Sequence, residues 1–392
     1  MGKRKKDGQS PVDEDRKQPG SIIVFDNSCF CRLASTYSVT CLYMTNKMDH
    51  AERLFRHHLT PSLRTMNCYD SAPEIYSSLL RYPQIISVIL YSFSFKALLE
   101  KHDKNFDTFR KLLLWHTVGS FVSQMYFSFL ALPVSYLPLP FYRCAGFLMY
   151  FNVPGVLVMN LELIFITHSA LSIVELLRYR LEAARPDQSK FDPVKILIYL
   201  FRLNLIIIFL FLTGSTPHAI KKQSEYKTGL ISSNLFLFNI VSCDNVFVFP
   251  PITDSQYLTM LCSICSVTTT TLFLVIISVI TIPFRLHALK KTASKKTIEV
   301  QKMFFVSVVL QALINSLFFI FPVSEFLKYA FQKDSSESSF QFIYVLMPYH
   351  GTAATFVMIC FTRPVREKII GYFKCEWKNK VASRKNVSQT LG

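Results

Sequence analysis

The sequence predicts an all-α membrane protein, a seven-transmembrane helix bundle with its N-terminus outside and its C-terminus in the cytoplasm. Half of the 392 residues are hydrophobic (51%), and only 18% are charged, which is below the quarter that soluble domains usually carry. The apolar residues form long uncharged blocks instead of the amphipathic patterns of soluble helices and strands, as expected of segments that cross lipid. The basic residues lie between these blocks, and their distribution predicts the orientation.

Seven windows are long enough to cross a bilayer core, which takes about 20 helical residues. They run over Leu79–Leu99, Leu112–Ser135, Phe147–Glu175, Ile196–Thr213, Gln256–Pro283, Met303–Ser324 and Phe340–Thr362. The second, fifth, sixth and seventh windows contain no Asp, Glu, Lys or Arg. We therefore interpret all seven as spans.

Charge also decides against an eighth span over Leu230–Ile252, a segment that is apolar but interrupted by polar residues and by Pro250-Pro251. With seven spans, the connections and tail on one side hold 24 Lys and Arg residues, counting Lys96 at the end of the first span, and the connections on the other side hold 6. The positive-inside rule assigns the richer set to the cytoplasm. An eighth span would move 14 of these charges outside.

The sequence divides into three parts. Residues 1–65 form a polar, poorly ordered N-terminal extension that opens with the basic run Lys3-Arg4-Lys5-Lys6. Residues 66–362 form the bundle, and Met66 is a candidate for its natural start. Residues 363–392 form a cytoplasmic tail, in which apolar residues at helical spacing predict an amphipathic helix lying under the bilayer. Cys375 in that tail fits a palmitoylated cysteine and a plain free thiol equally well.

Composition and motifs exclude several functions. The formal net charge of +17 would suit nucleic-acid binding on a soluble face, but here the basic residues cluster between spans, so no nucleic-acid partner is expected. The sequence has no phosphate-binding Gly-rich loop, no HExxH and no nucleophile elbow. We expect no enzymatic activity and no cofactor. Cys262-x-x-Cys265 lies inside an uncharged apolar run, so it predicts two small hydrophobic helix residues instead of a metal site.

Several short motifs occur in a fixed order along residues 71–370. Ser71-Ala72-Pro73-Glu74 precedes the first span, and Phe109-Arg110-x-x-Leu113-Leu114 opens the second. The Pro-rich run from Leu132 to Gly146 links the second and third spans. Lys296-Thr297…Gln301-Lys302 enters the sixth span, and His350-Gly351…Arg363-Pro364-Val365-Arg366 ends the seventh. This order resembles the nematode serpentine chemoreceptors of class H, with class I as the second choice.

The resemblance implies a chemosensory G-protein-coupled receptor in the plasma membrane of sensory cilia. Its partners would be an external small-molecule ligand and a heterotrimeric G protein. Arg363 and Val365 depart from the Lys and Tyr of the family's ending. The alternative is a multi-pass transporter or ligand-gated channel. The absence of an internal repeat, the odd number of spans and the single deep carboxylate favour the receptor.

The receptor plan also implies site residues. A disulfide between Cys144 and Cys243 would pin the loop after the fourth span over the ligand mouth. Glu162 lies 18 residues past Cys144, roughly 27 Å along a helix. It fits the floor of a ligand pocket and a protonated carboxyl bonded to a neighbouring helix equally well.

Four further polar residues are weaker pocket candidates, because lone His and Gln residues more often join helices than bind ligands. They are His168, Gln124, Gln311 and His350. Below the third span, Glu175, Arg178 and Arg180 are predicted to face the G protein. Glu175 and Arg178 share a helix face and form a candidate resting-state pair. Arg202 in the fourth span is expected to extend to the cytoplasmic interface.

Overall fold

A computed structural model describes residues 68–70, 72–100, 104–136, 139–184, 193–251, 253–290, 294–332 and 344–372. All of these residues belong to one of the chain's two units, Leu59–Gly392. The predicted N-terminal extension at 1–65 and the tail beyond residue 372, including Cys375, lie outside the described residues.

Seven helices follow the seven predicted windows in order, so the predicted all-α bundle of seven membrane helices is confirmed. They are α1 Glu74–Leu99, α2 Lys104–Met125, α3 Gly155–Ala183, α4 Pro193–Ser233, α5 Ser255–Leu289, α6 Lys295–Gln332 and α7 Tyr349–Phe361. By length and composition, α1, α3, α4, α5 and α6 can each cross a membrane, and α7 is apolar but shorter. An eighth helix, α8, covers 363–372.

The end of the second span differs from its prediction. The window extends to Ser135, but α2 ends at Met125 and continues only as a π-helical turn, Tyr126–Ala131. Leu132 then adopts a left-handed conformation with φ 43°, and Pro133 has no N–H with which to continue a helix. The chain turns at this point into a strand, β1 Pro133–Ser135.

Three short strands close one end of the bundle. β2 Phe141–Cys144 lies between β1 and β3 Val246–Val248, and both pairings are antiparallel. The segment tested as an eighth span forms the end of α4, a helical turn at Phe238–Val241 and β3, so its rejection is confirmed. We call this end of the bundle the sheet end and the end that carries α8 the tail end.

The fourth helix is much longer than its predicted window, Ile196–Thr213. α4 has 41 residues and is therefore about 60 Å long, twice the thickness of a bilayer core. Its second half is polar and packs on the sheet, where the Gln223 amide donates to the Val248 carbonyl and accepts from the Val248 N–H, each at 2.9 Å. A hydropathy window detects only the half of the helix that suits lipid.

After the seventh span, the described residues form the helix α8. Val365 and Ile369 are buried, and Ile370 is exposed. Lys368 pairs with Glu100 at 3.0 Å, and the Tyr372 hydroxyl donates to the same carboxylate at 2.7 Å. These contacts fasten α8 to the end of α1.

Candidate functional site

The sheet end carries a disulfide that fastens the segment before α1 to the loop after α4. Cys68 is bonded to Cys243, with their Cα atoms 5.4 Å apart. The predicted Cys144–Cys243 bridge is therefore wrong. Cys144 is a buried free thiol in β2 and donates to the Ala131 carbonyl at 3.1 Å. The Asn245 amide donates to the carbonyls of both Cys144 and Cys68.

The physical reason for the correction is strand pairing. Cys144 lies at the end of the central strand β2, paired with Pro133 of β1, and its side chain is fully buried. This burial raises the pKa of its thiol to about 12. Cys68 precedes the first span and so lies on the same predicted outer side as Cys243. Its position beside the suspected start of the bundle was the available signal.

The two cysteines of the bridge should act as one unit. Cys68→Ser and Cys243→Ser should each lower surface delivery and thermal stability, since a disulfide typically contributes about 2–4 kcal/mol. The double variant should be no worse than either single variant, as expected for coupled sites. Flow cytometry and thermal unfolding measure both effects. Cys144→Ser combined with Cys243→Ser should show additive defects, and non-additivity of that pair would restore the rejected pairing.

A small cavity lies among α2, α3, α6 and the start of α7. Its lining is formed by Ser123, Phe127, Phe165, Ile166, Ser169, Phe318, Met347 and His350. The walls are mostly apolar, with a few polar groups, and the free space is about that of one water molecule. The Ser169 hydroxyl donates to Asn315 at 3.1 Å and lies 3.5 Å from His350 Nε2. Of the predicted pocket residues, His350 lies directly in this lining.

Glu162 lies beside the cavity, closer to the sheet end than the sequence predicted. Because α3 begins at Gly155, Glu162 is only about 10 Å along the helix, and the predicted 27 Å wrongly assumed helix from Cys144 onward. Phe165 and Ile166 follow it at helical spacing, so the carboxylate lies one turn above the cavity on the same face. Glu162 is 3% exposed. Within the described part of the chain, its Oε1 has no hydrogen-bond partner.

Four buried tyrosines from different segments lie near enough to Glu162 to interact with its charge, and none of them is hydrogen-bonded to it in the described structure. Tyr76, Tyr126, Tyr142 and Tyr344 all interact with Glu162 electrostatically. The hydroxyls of the first three donate instead to main-chain carbonyls of Pro133, Val158 and Gly155. We call these four residues the tyrosine collar.

The other predicted pocket residues lie away from the cavity lining. The His168 ring packs edge-on against Trp115, with centroids 5.1 Å apart. Gln124 donates to Ser87 at 2.7 Å and accepts from Thr352 at 2.8 Å, which joins α1, α2 and α7. Gln311 donates to Ser307 on the same helix. The contacts of these three residues are within or between helices, and none of the three lines the cavity.

At the tail end, Glu175 joins α3 to α4. Its carboxylate accepts from Arg178 Nε and from Arg202 Nε, each at 2.7 Å. Arg178 also bonds Glu182 at 2.8 Å. Arg202 on the adjoining helix reaches this carboxylate at the tail end, a contact that leaves its predicted extension toward the interface untested. The Glu175–Arg178 pair is present, with a second arginine added.

Arg180 lies in a cage of aromatic rings that connects three helices. Its guanidinium carbon is 3.5 Å from the ring centroid of Phe109 on α2, 4.3 Å from that of Phe304 on α6 and 5.1 Å from that of Tyr179. The residue is 3% exposed, and its Nη1 donates to Gln301 on α6 at 3.0 Å. We call Arg180 and these three rings the Arg180 cage. Sequence reasoning identified the arginine but missed the rings, which come from distant helices.

Comparison with known families gives one match. A family model described as serpentine type 7TM GPCR chemoreceptor Srh matches residues 71–375, which includes all eight helices and the three strands. No curated protein and no solved structure matches the chain significantly.

Proposed function

The chain belongs to the Srh family of serpentine chemoreceptors, and from this membership we propose that it binds an external small-molecule cue and activates a heterotrimeric G protein. The observation that carries the proposal is the extent of the family match, residues 71–375, which spans the whole bundle. The cavity among α2, α3, α6 and α7 supports it, because ligands of helix bundles bind between helices.

The proposed orientation has the sheet end outside and the tail end in the cytoplasm of a plasma membrane, with sensory cilia as the expected location. Two observations support this. The connections and tail assigned to the cytoplasm carry 24 basic residues against 6 on the other side. The Cys68–Cys243 bridge lies at the sheet end, and disulfides persist on the oxidising side of a membrane.

The ligand would bind in the cavity, with Glu162 above it and His350 in its wall. The cavity is small, so a cue would enter as Phe318 or Met347 moves aside, and the required movement would couple binding to the arrangement of α6 and α7. His168, Gln124 and Gln311 would act on this site indirectly, through the helix contacts they make.

The tail end would carry the response to the G protein. The Arg180 cage joins α3 to α6, and Glu175 with Arg178 and Arg202 joins α3 to α4. We propose that these contacts hold the resting bundle and that a shift of α6 on ligand binding exposes Arg180. Two discrete arrangements of packed helices are the usual basis of such a switch.

The test is a G-protein activation assay in cultured cells that express the full chain, challenged with a panel of volatile and water-soluble small molecules. The expected result is stimulus-evoked activation that the parent cells lack. A tag after Ser233 should stain intact cells, and a tag at Gly392 should stain only permeabilised cells, so the same cells report expression and orientation. Stimulus-evoked current or uptake without G-protein activation would instead support a channel or transporter, and surface staining at Gly392 would overturn the orientation.

A further inference from the structure

Among the described residues, Glu162 is a carboxyl group without a partner in the interior of the bundle. It is buried near the sheet end, and in the described part of the chain its Oε1 has no hydrogen-bond partner and no basic side chain pairs with it. A carboxyl group isolated in the interior of a membrane protein is unfavourable unless something compensates it. Such a residue marks a site where a partner from outside the chain would be stabilised.

The residues of the tyrosine collar set the chemistry around the carboxylate. The hydroxyls of Tyr76, Tyr126 and Tyr142 are engaged by main-chain carbonyls. These hydroxyls are therefore not available to donate to Glu162 in the described structure. Ring faces attract cations, and aromatic residues combined with a carboxylate are suited to recognise an ammonium group. A carboxyl group buried without a partner is most stable protonated, and an ammonium group would stabilise its ionised form, which a neutral or an anionic ligand would not.

The cavity lies next to the carboxylate. The cavity begins one helical turn below Glu162, where Phe165 and Ile166 line its wall together with Phe127 and Phe318. The Tyr126 ring of the collar packs on Phe165, with centroids 4.8 Å apart, so the collar and the cavity are continuous. The arrangement therefore suits a ligand with a charged head and an apolar body.

We propose that Glu162 and the tyrosine collar form the anchor for a cationic amine ligand, whose ammonium group pairs with the carboxylate and whose apolar body extends toward Phe165, where the cavity would widen as Phe318 or Met347 moves aside. This inference rests on the proposed function for the existence of a ligand, and it adds the ligand's chemical class. Ser169 and His350, at the far side of the cavity, would form hydrogen bonds with a polar substituent at the other end of the amine.

The experiment compares amines with alcohols of the same shape on the purified full chain in nanodiscs at pH 7. The probes are 2-phenylethylamine with 2-phenylethanol, octylamine with 1-octanol, and benzylamine with benzyl alcohol, and the readout is the shift in Tm. At least one amine should stabilise the protein at concentrations at least tenfold below those its alcohol partner needs. Glu162→Gln should remove that difference, and Glu162→Asp, which keeps the charge, should retain part of it.

The matched control is Glu225→Gln, which removes an exposed carboxylate at the same end of the molecule and should leave the amine preference unchanged. The proposal is overturned if no amine shifts Tm at a lower concentration than its alcohol partner. It is also overturned if the amine preference survives in a folded Glu162→Gln variant. If Glu162→Gln fails to fold, the wild-type comparison of amines with alcohols and the Glu162→Asp variant still test the proposal. Because Tm reports binding without a G protein, amine binding without G-protein activation would contradict only the proposed function.

Discussion

One added methyl group at Gly155 should abolish surface delivery of this receptor, whereas the same methyl group at Gly229 should leave it intact. A Cβ at Gly155 would lie 2.6 Å from the Phe247 nitrogen and 2.6 Å from the Val246 carbonyl carbon. Both are main-chain atoms of β3, so they cannot rotate away as a side chain could. The Gly155 N–H also donates to the Asp244 carbonyl at 2.9 Å, which fixes the first turn of α3 against the loop before the strand.

Gly155→Ala would therefore force α3 away from the sheet, and overpacking of this kind typically costs about 1–3 kcal/mol or more. Surface staining and the Tm of the purified chain measure the effect. At Gly229 in the polar half of α4, a Cβ would meet nothing within 4 Å. Replacing a helical glycine with alanine there should be neutral or stabilising by about 0.5–1 kcal/mol. Equal surface levels for the two variants would show that the contact between α3 and β3 is not required for folding.

The sequence predicted the spans well because lipid imposes one simple requirement, a sustained apolar helix. The same requirement explains what was missed. The polar half of α4 and the three strands lie where hydropathy carries no signal, and only contacts between distant segments define them. The partner of Cys243 depends on such a contact, since Cys68 and Cys243 are 175 residues apart.

For the candidate site, too, the sequence indicated the charged residues but not the groups around them. Glu162, Glu175 and Arg180 stand out in the sequence because charges are rare in or beside spans. Their surroundings did not, because rings and partners come from other helices. The depth of Glu162 was misjudged because the segment after Cys144 forms a 3-10 turn, Phe147–Phe151, and a bend before α3. The second arginine on Glu175 was missed because Arg202 lies on the next helix.

Removing one ring of the Arg180 cage should increase G-protein activation in the absence of ligand. Phe304 packs over the guanidinium from α6 and stacks on Phe106 of α2, with centroids 5.5 Å apart. Phe304→Leu keeps most of the apolar volume but removes the ring. A buried cation–π contact contributes about 2 kcal/mol or more, and other rings remain, so we expect the resting state to lose about 1–2 kcal/mol. That corresponds to roughly a five- to thirtyfold shift in a two-state equilibrium.

Whether basal activation rises or falls depends on whether the cage forms in the resting or in the active arrangement. If the cage holds α6 against α3 in the resting receptor, weakening it favours the arrangement that activates the G protein, so basal activation should rise at matched surface expression. Phe305→Leu is the control, because Phe305 lies at the next position on α6 and is partly buried in the same core, but among the described rings it does not lie over Arg180. Arg180→Ala should instead lower stimulus-evoked activation, since it removes the group that α6 would release. Equal basal activation in Phe304→Leu and Phe305→Leu would reject the cage as the resting-state contact, and a fall in basal activation specific to Phe304→Leu would assign the cage to the active arrangement.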